Sequence, residues 1–266
     1  MITGIFGLPG VGKTALNTHF LVDSYMNEGG IRLQESIDMI GELNRAHRRA
    51  LTVPPKAPYY ATYDVEFLTG YEEYYRPFVF NPFFFGFDNA DLSVMHLAPF
   101  SQVHIMEAQK YYDSRQSSTF PSWASRAYET HRHFRLDIYY DCQRIDLIDL
   151  NIRRITERFF CVLGMENQYR ANGALSESIF HCLRFDDYSA VDEYIKTGKG
   201  GMPETIRHKG NIFECYNSYD CADQFLPLRG GDFEYVGQGE RGKRAAEILS
   251  AAEPYYFRHK KKGKKE

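Results

Sequence analysis

The chain has 266 residues, of which 43% are hydrophobic and 25% charged, and a formal net charge of −3. That length accommodates one large domain or two smaller ones around a sizeable core. Near-neutral charge excludes a chain that coats nucleic acid by bulk electrostatics, and no run of about 18 apolar residues exists to form a membrane span.

Five cysteines (Cys142, Cys161, Cys182, Cys215 and Cys221) form no C-x-x-C pair and are odd in number, which predicts reduced thiols rather than disulfides or a zinc site. Aromatic residues make up 15% of the chain, enough to serve as large core and interface side chains.

Taken in order, Ile2, Ile5 and Phe6 read as a short buried strand. It leads directly into Gly7-Leu8-Pro9-Gly10-Val11-Gly12-Lys13-Thr14, which fits the phosphate-loop pattern of Gly, four residues, Gly-Lys-Ser/Thr. The glycines let the backbone turn tightly and aim its N–H groups at phosphates. Lys13 can reach the β- and γ-phosphates of ATP, and the Thr14 hydroxyl can sit on Mg²⁺. With the N-terminus occupied by strand and loop, no signal peptide is expected.

Residues from Ala15 to about 27 read as a helix whose positive end faces the anion. Gly29-Gly30 predicts a left-handed cap for it. A second helix is then expected around Ile37, Ile40 and Leu43, with Arg45, His47, Arg48 and Arg49 near its end, and residues 53–58, rich in proline, break it. Residues 59–65 read as a strand.

Residues 66–100 are aromatic and interrupted by proline, and their elements cannot be ordered. Residues 102–106 form a short apolar strand running into Glu107-Ala108-Gln109. A helix is predicted over 121–134, a strand over 136–143 ending at Gln143, a helix over 144–156 and strands over 158–163 and 178–185.

Strands alternating with helices predict an α/β fold with a largely parallel sheet flanked by helices. In such sheets ligands bind beyond the carboxyl ends of the strands, which singles out 7–14, Glu107 and Gln143. The i, i+2 spacing of His131 and His133 does not share a helix face, and Asp186-Asp187 and Asp192-Glu193 read as surface charges. Residues 226–266 read as a polar extension ending in a disordered basic tail over 258–265, either a solvated tail with no specific role or one attracted to anionic lipid or nucleic acid.

Five stretches resemble the N-terminal ATPase domain of the zonular occludens toxin family, which includes the assembly protein of filamentous phages. They are GLPGVGKT, HIMEAQ at 104–109, HRHFRLDIYYDCQ at 131–143, IDLNIRR at 148–154 and NIFECYNSYD at 211–220, the last similar to the family's closing strand. The resemblance spans 1–225. It implies a P-loop NTPase of the additional-strand class, acting with ATP and Mg²⁺ as a homo-oligomer that drives virion assembly and extrusion. Its implied partners are phage or envelope assembly proteins at the cytoplasmic face of the inner membrane, with DNA a further possibility.

Carried over residue by residue, Gly7 to Ala15 would hold the nucleotide, Glu107 would polarise the attacking water, and Gln143 would sense the γ-phosphate. Arg153 or Arg154 could reach a neighbour's nucleotide. On residue chemistry alone, Glu107 could equally be a surface carboxylate, Gln143 a strand-end cap, and the two arginines solvated charges.

One departure matters. The family has Asp-Glu-Ala-Gln where this chain has Met106-Glu107-Ala108-Gln109, and a thioether is a poor ligand for a hard cation. Glu107 would then take the metal with Thr14, or Asp64 or Asp141 would substitute for the missing acid. A nucleotide-binding scaffold or switch without turnover, and a DNA-translocating ATPase, are the alternative readings.

Overall fold

The computed structural model describes residues 1–48, 51, 53–54, 56–63, 65, 78–79, 97–115 and 128–216. Asp64, Cys221, most of the expected 121–134 helix and the whole C-terminal extension lie outside the described residues.

Strand β1 (Ile2–Phe6) is buried at every position, as expected of a central strand covered on both faces. The other strands are β2 (Tyr59–Ala61), β3 (Phe78–Val79), β4 (Gln102–Ile105), β5 (Asp137–Cys142), β6 (Arg158–Tyr169), β7 (Leu175–Phe185) and β8 (Met202–Lys209). They form one sheet in the order β3-β2-β4-β5-β1-β6-β7-β8. Pairing is parallel from β3 across to β6 and antiparallel for β6–β7 and β7–β8. Strand β5 therefore lies between the strand that feeds the phosphate loop and the strand that ends before Met106. That insertion is the additional-strand arrangement, and the fold is an α/β P-loop NTPase fold.

Alternation within the strands separates the two faces. Ile2, Phe6, Val103, Ile105, Ile138 and Tyr140 belong to one cluster, which packs under the small helix α2 (Leu150–Ile155) through Ile152. On the other face, Ile5 joins Ala15 and Leu16, and Tyr59 and Tyr63 join Leu21 and Tyr25. That face is covered by α1 (Lys13–His47), a single helix of 35 residues.

The expected break at Gly29-Gly30 does not occur. Neither glycine has positive φ, and buried Gly29 lets the Tyr25 ring and Ala57 approach its Cα, leaving a Cβ there only 3.3 Å from the ring. Two glycines cost a helix about 2 kcal/mol, which packing of the flanking apolar stripe offsets. The left-handed cap falls instead at Arg48.

Other boundaries also shift. The expected 144–156 helix is a 3₁₀ turn at Ile145–Leu147 followed by α2, because Asp149 caps Asn151 N and restarts the helix. The described part of the 121–134 segment ends in a 3₁₀ turn at His131–Phe134. Of the expected closing strand over 211–220, the described residues hold a 3₁₀ turn (Ile212–Glu214) and one bridge, Val65 to Tyr216, and 217–220 lie outside them. Residues 186–209 hold two elements that the sequence did not reveal: α3 (Tyr188–Thr197), capped by Asp187 accepting from Ala190 N, and β8.

Strand β6 runs eight residues past its Phe6–Cys161 pairing, so the β6–β7 hairpin stands about 25 Å beyond the end of β1.

Candidate nucleotide site

The 7–12 loop joins the carboxyl end of β1 to the amino end of α1. Gly7, Gly10 and Gly12 have φ of 153°, 80° and 94°, a region L side chains rarely enter. Gly7 also needs the absence of a Cβ, which would stand 2.6 Å from the Val162 carbonyl oxygen, while one at Gly12 would crowd the Met165 side chain, 3.2 Å from Sδ. The loop is thus pressed against β6 by its own glycines.

Gly12 caps α1 in the left-handed conformation, with no side chain accepting from the first turn. Free N–H groups at a helix start attract an anion. Lys13 Nζ lies across the loop and donates to Leu8 O at 2.9 Å, while Leu8 itself is 74% exposed. Ala15 is buried beneath the loop with Ile5 and Phe160, and Thr14 is half-buried one residue after the lysine.

Three adjacent strand ends surround this loop. Cys142 pairs with Phe6, so exposed Gln143 leaves the sheet beside the start of the loop. One strand further, β4 ends at Ile105 opposite Tyr140, followed by Met106 and Glu107. The ends of β1, β5 and β4 together span about 10 Å. Topology thus gathers the loop, Gln143 and Glu107 on one edge of the sheet.

Met106 is 5% exposed and packs with Leu21, Tyr25 and Tyr63 in the α1-side core. Its N–H donates to Thr62 Oγ1 at 2.9 Å. Glu107 takes a left-handed conformation (φ 49°) at the start of a 3₁₀ turn. Its carboxylate lies 3.3 Å from Lys110 Nζ and its side chain is 37% exposed.

What holds that turn comes from the 131–143 stretch, the acid offered above with Asp64 as a substitute. Asp141, fully buried on β5, accepts from Glu107 N through Oδ1 at 2.8 Å and from Asn17 Nδ2 through Oδ2 at 3.2 Å. Asn17, on the first turns of α1, also meets His104 Nδ1 through Oδ1 at 2.7 Å, and His104 Nε2 meets Gln102 Oε1 at 3.1 Å. His104 lies flat on Tyr139, with ring centroids 4.8 Å apart. A buried polar chain Gln102–His104–Asn17–Asp141 thus runs beneath the loop.

Burial pushes the Asp141 carboxyl up to about 6, against the lowering pull of the Glu107 N–H, Asn17 and Lys13. Burial, with Arg32 adding to it, holds His104 down to about 3. Alternation gave no hint of this chain, since Asn17 falls inside a helix and Asp141 inside a strand. The local signal was a polar residue at a buried face position in each.

Among the described residues no three His, Cys, Asp or Glu converge on a metal. Mg²⁺ needs only one or two protein groups together with phosphate and water; Thr14 with a carboxylate of this edge would be such a set.

Arg153 and Arg154 sit on α2. Arg153 is engaged within the chain: its Nη1 donates to Tyr188 OH and its guanidinium lies 4.9 Å from that ring's centroid. Arg154 is exposed. His131 is spent on Tyr128 O and Glu157. The described cysteines are all buried and free, and no helix among the described residues is long and apolar enough to cross a membrane.

No protein-family model matches the chain, and no curated protein matches it. Among solved structures, the chain is similar to the N-terminal domain of zonular occludens toxin from Neisseria meningitidis. Identity is 14% and the TM-score 0.46, covering 81% of this chain and 98% of that one. It is also similar to the genome packaging NTPase B204 of Sulfolobus turreted icosahedral virus 2 in complex with ATPγS, with 14% identity, a TM-score of 0.38, and 77% and 95% coverage. At those scores the order of the strands and the conformation of the loop, rather than the likenesses, carry the fold assignment.

Proposed function

We propose that the chain binds ATP with Mg²⁺ on the 7–15 segment and hydrolyses it as an oligomeric motor of filamentous-phage-like virion assembly and extrusion. The observation that carries the nucleotide reading is the loop itself. It has three glycines in conformations other residues resist, a lysine lying along it, and a helix start left without a side-chain cap. Phosphoryl transfer asks for positioning and charge neutralisation rather than covalent chemistry.

In this reading the loop N–H groups and Lys13 hold the phosphates and Thr14 faces Mg²⁺. Glu107 orients the attacking water once it leaves Lys110, and Gln143 bridges to the γ-phosphate. Exposed Arg154, rather than Arg153, is the side chain offered to a neighbouring copy. The motor's cargo and its partners at the inner membrane rest on the sequence resemblance.

The test is ATP affinity and phosphate release with and without Lys13→Ala. Loss of binding or of turnover in the variant supports the reading; an unchanged affinity and rate refute it.

One observation favours a second reading, a nucleotide-binding scaffold without turnover: Met106 is committed to the core and Glu107 is paired with Lys110. ATP binding that depends on Lys13, with no phosphate release, selects the scaffold. Release stimulated by DNA, with steep salt dependence, selects a DNA-translocating motor.

A further inference from the structure

We propose that Asp141 supplies the acidic side chain of the magnesium site that position 106 does not. The inference rests on the reading of 7–15 as the ATP site.

The register makes the case. Ile105 pairs with Tyr140, so the next residues, Met106 and Asp141, stand level on neighbouring strands. Both face α1: Met106 belongs to the cluster that Leu21 and Tyr25 of α1 help form, and Asp141 bonds Asn17. The carboxylate is therefore displaced by one strand, about 4.8 Å, without a change of height or of face. The displacement is toward the phosphate loop, because β5 pairs directly with β1, Asp141 opposite Ile5.

Only two acidic side chains among the described residues are buried, Asp141 and Asp149. Asp149 caps α2 through Oδ1 and leaves Oδ2 without a hydrogen-bond partner, but it stands at the start of α2 rather than on a strand beside the loop. Asp141 has two neutral donors, Glu107 N and Asn17 Nδ2, and no basic group within ion-pair distance among the described residues. A buried carboxylate without a cation is costly, and its retention here is explained by a cation that arrives with the nucleotide. The Asn17 amide, fixed in turn by His104, holds the carboxylate against α1 about one turn after Thr14. A hard oxygen donor suits Mg²⁺ as the Met106 sulfur does not.

The experiment measures affinity of the full chain for AMPPNP, calorimetrically, in EDTA and in Mg²⁺. Wild type, Asp141→Asn and Asp141→Ser are compared after urea melts confirm folding. Mg²⁺ is expected to tighten binding by wild type. Both variants are expected to lose about ten- to a hundredfold of that tightening while keeping the EDTA affinity. Asp141→Ser carries the test if the amide does not fold, and Asp141→Glu is expected to recover part of the tightening because it restores the carboxylate.

The proposal is overturned if either folded variant keeps the full Mg²⁺ effect, or if wild type has none. Failure of the underlying ATP reading is separate: it shows in EDTA alone, as binding by wild type no tighter than by Lys13→Ala.

Discussion

Acid should loosen the attachment of β8 to α1 through one pair of rings. His19 on α1 and His208 on β8 face each other Nδ1 to Nδ1 at 3.1 Å, both buried, with His19 stacked on Phe180. Only one of the two nitrogens can carry the shared hydrogen, so a second proton sets two N–H groups against each other. Burial and His208 lower His19 from 6.5 to about 4, opposed by Asp23, and burial lowers His208 in the same direction.

A histidine with a lowered folded pKa contributes stability that is complete above about 6.5 and is lost as pH falls toward its folded value. At pH 5 the unfolded ring is about 1.5 units below its pKa while the folded ring is still mostly neutral. At about 1.4 kcal/mol per unit, His19 costs about 2 kcal/mol between pH 7 and 5. His104, held to about 3, adds about 2 kcal/mol more. Asp141 works the other way: raised from 3.8 to about 6, it returns about 1 kcal/mol as it protonates.

Wild type should therefore lose about 3 kcal/mol over that interval, read as urea midpoints at pH 7 and pH 5. The double variant His19→Leu/His208→Leu replaces both partners by apolar groups, which leaves nothing unpaired. It should lose only about 1 kcal/mol. An equal loss in the double variant and in wild type would refute the reasoning.

Met106→Asp, the change that writes the family motif back into the chain, should destabilise it by about 3 kcal/mol, since the new carboxylate enters a core of Leu21, Tyr25 and Tyr63; urea melts at neutral pH measure this. The two arginines should separate cleanly in thermal melts. Arg153→Ala should cost about 1 kcal/mol through the lost Tyr188 contacts, whereas exposed Arg154→Ala should stay within about 0.5 kcal/mol of wild type.

The features that local chemistry governs were legible before any coordinates. Spacing of glycines, lysine and threonine after a short apolar run specifies an anion loop whatever surrounds it, and short apolar runs identified β1, β4, β5 and the cores of β6 and β7. The same local rules misplaced the end of α1, because whether a glycine breaks a helix depends on what packs against it, here Tyr25 and Ala57. They also overlooked α3 and β8, in each of which a single residue, Val191 and His208, is buried.

The primary structure alone determined that an anion cradle opens this chain and that the acid expected at position 106 is gone. Tertiary structure decided what stands in its neighbourhood. Asn17, His104 and Asp141 come from one helix and two strands, far apart along the chain, and only the register of β4 against β5 and the face turned to α1 make them neighbours. Strand order is set by long-range pairing and burial, which no local spacing encodes. Which carboxylate stands beside Glu107 and Asn17 is therefore a property of the assembled sheet.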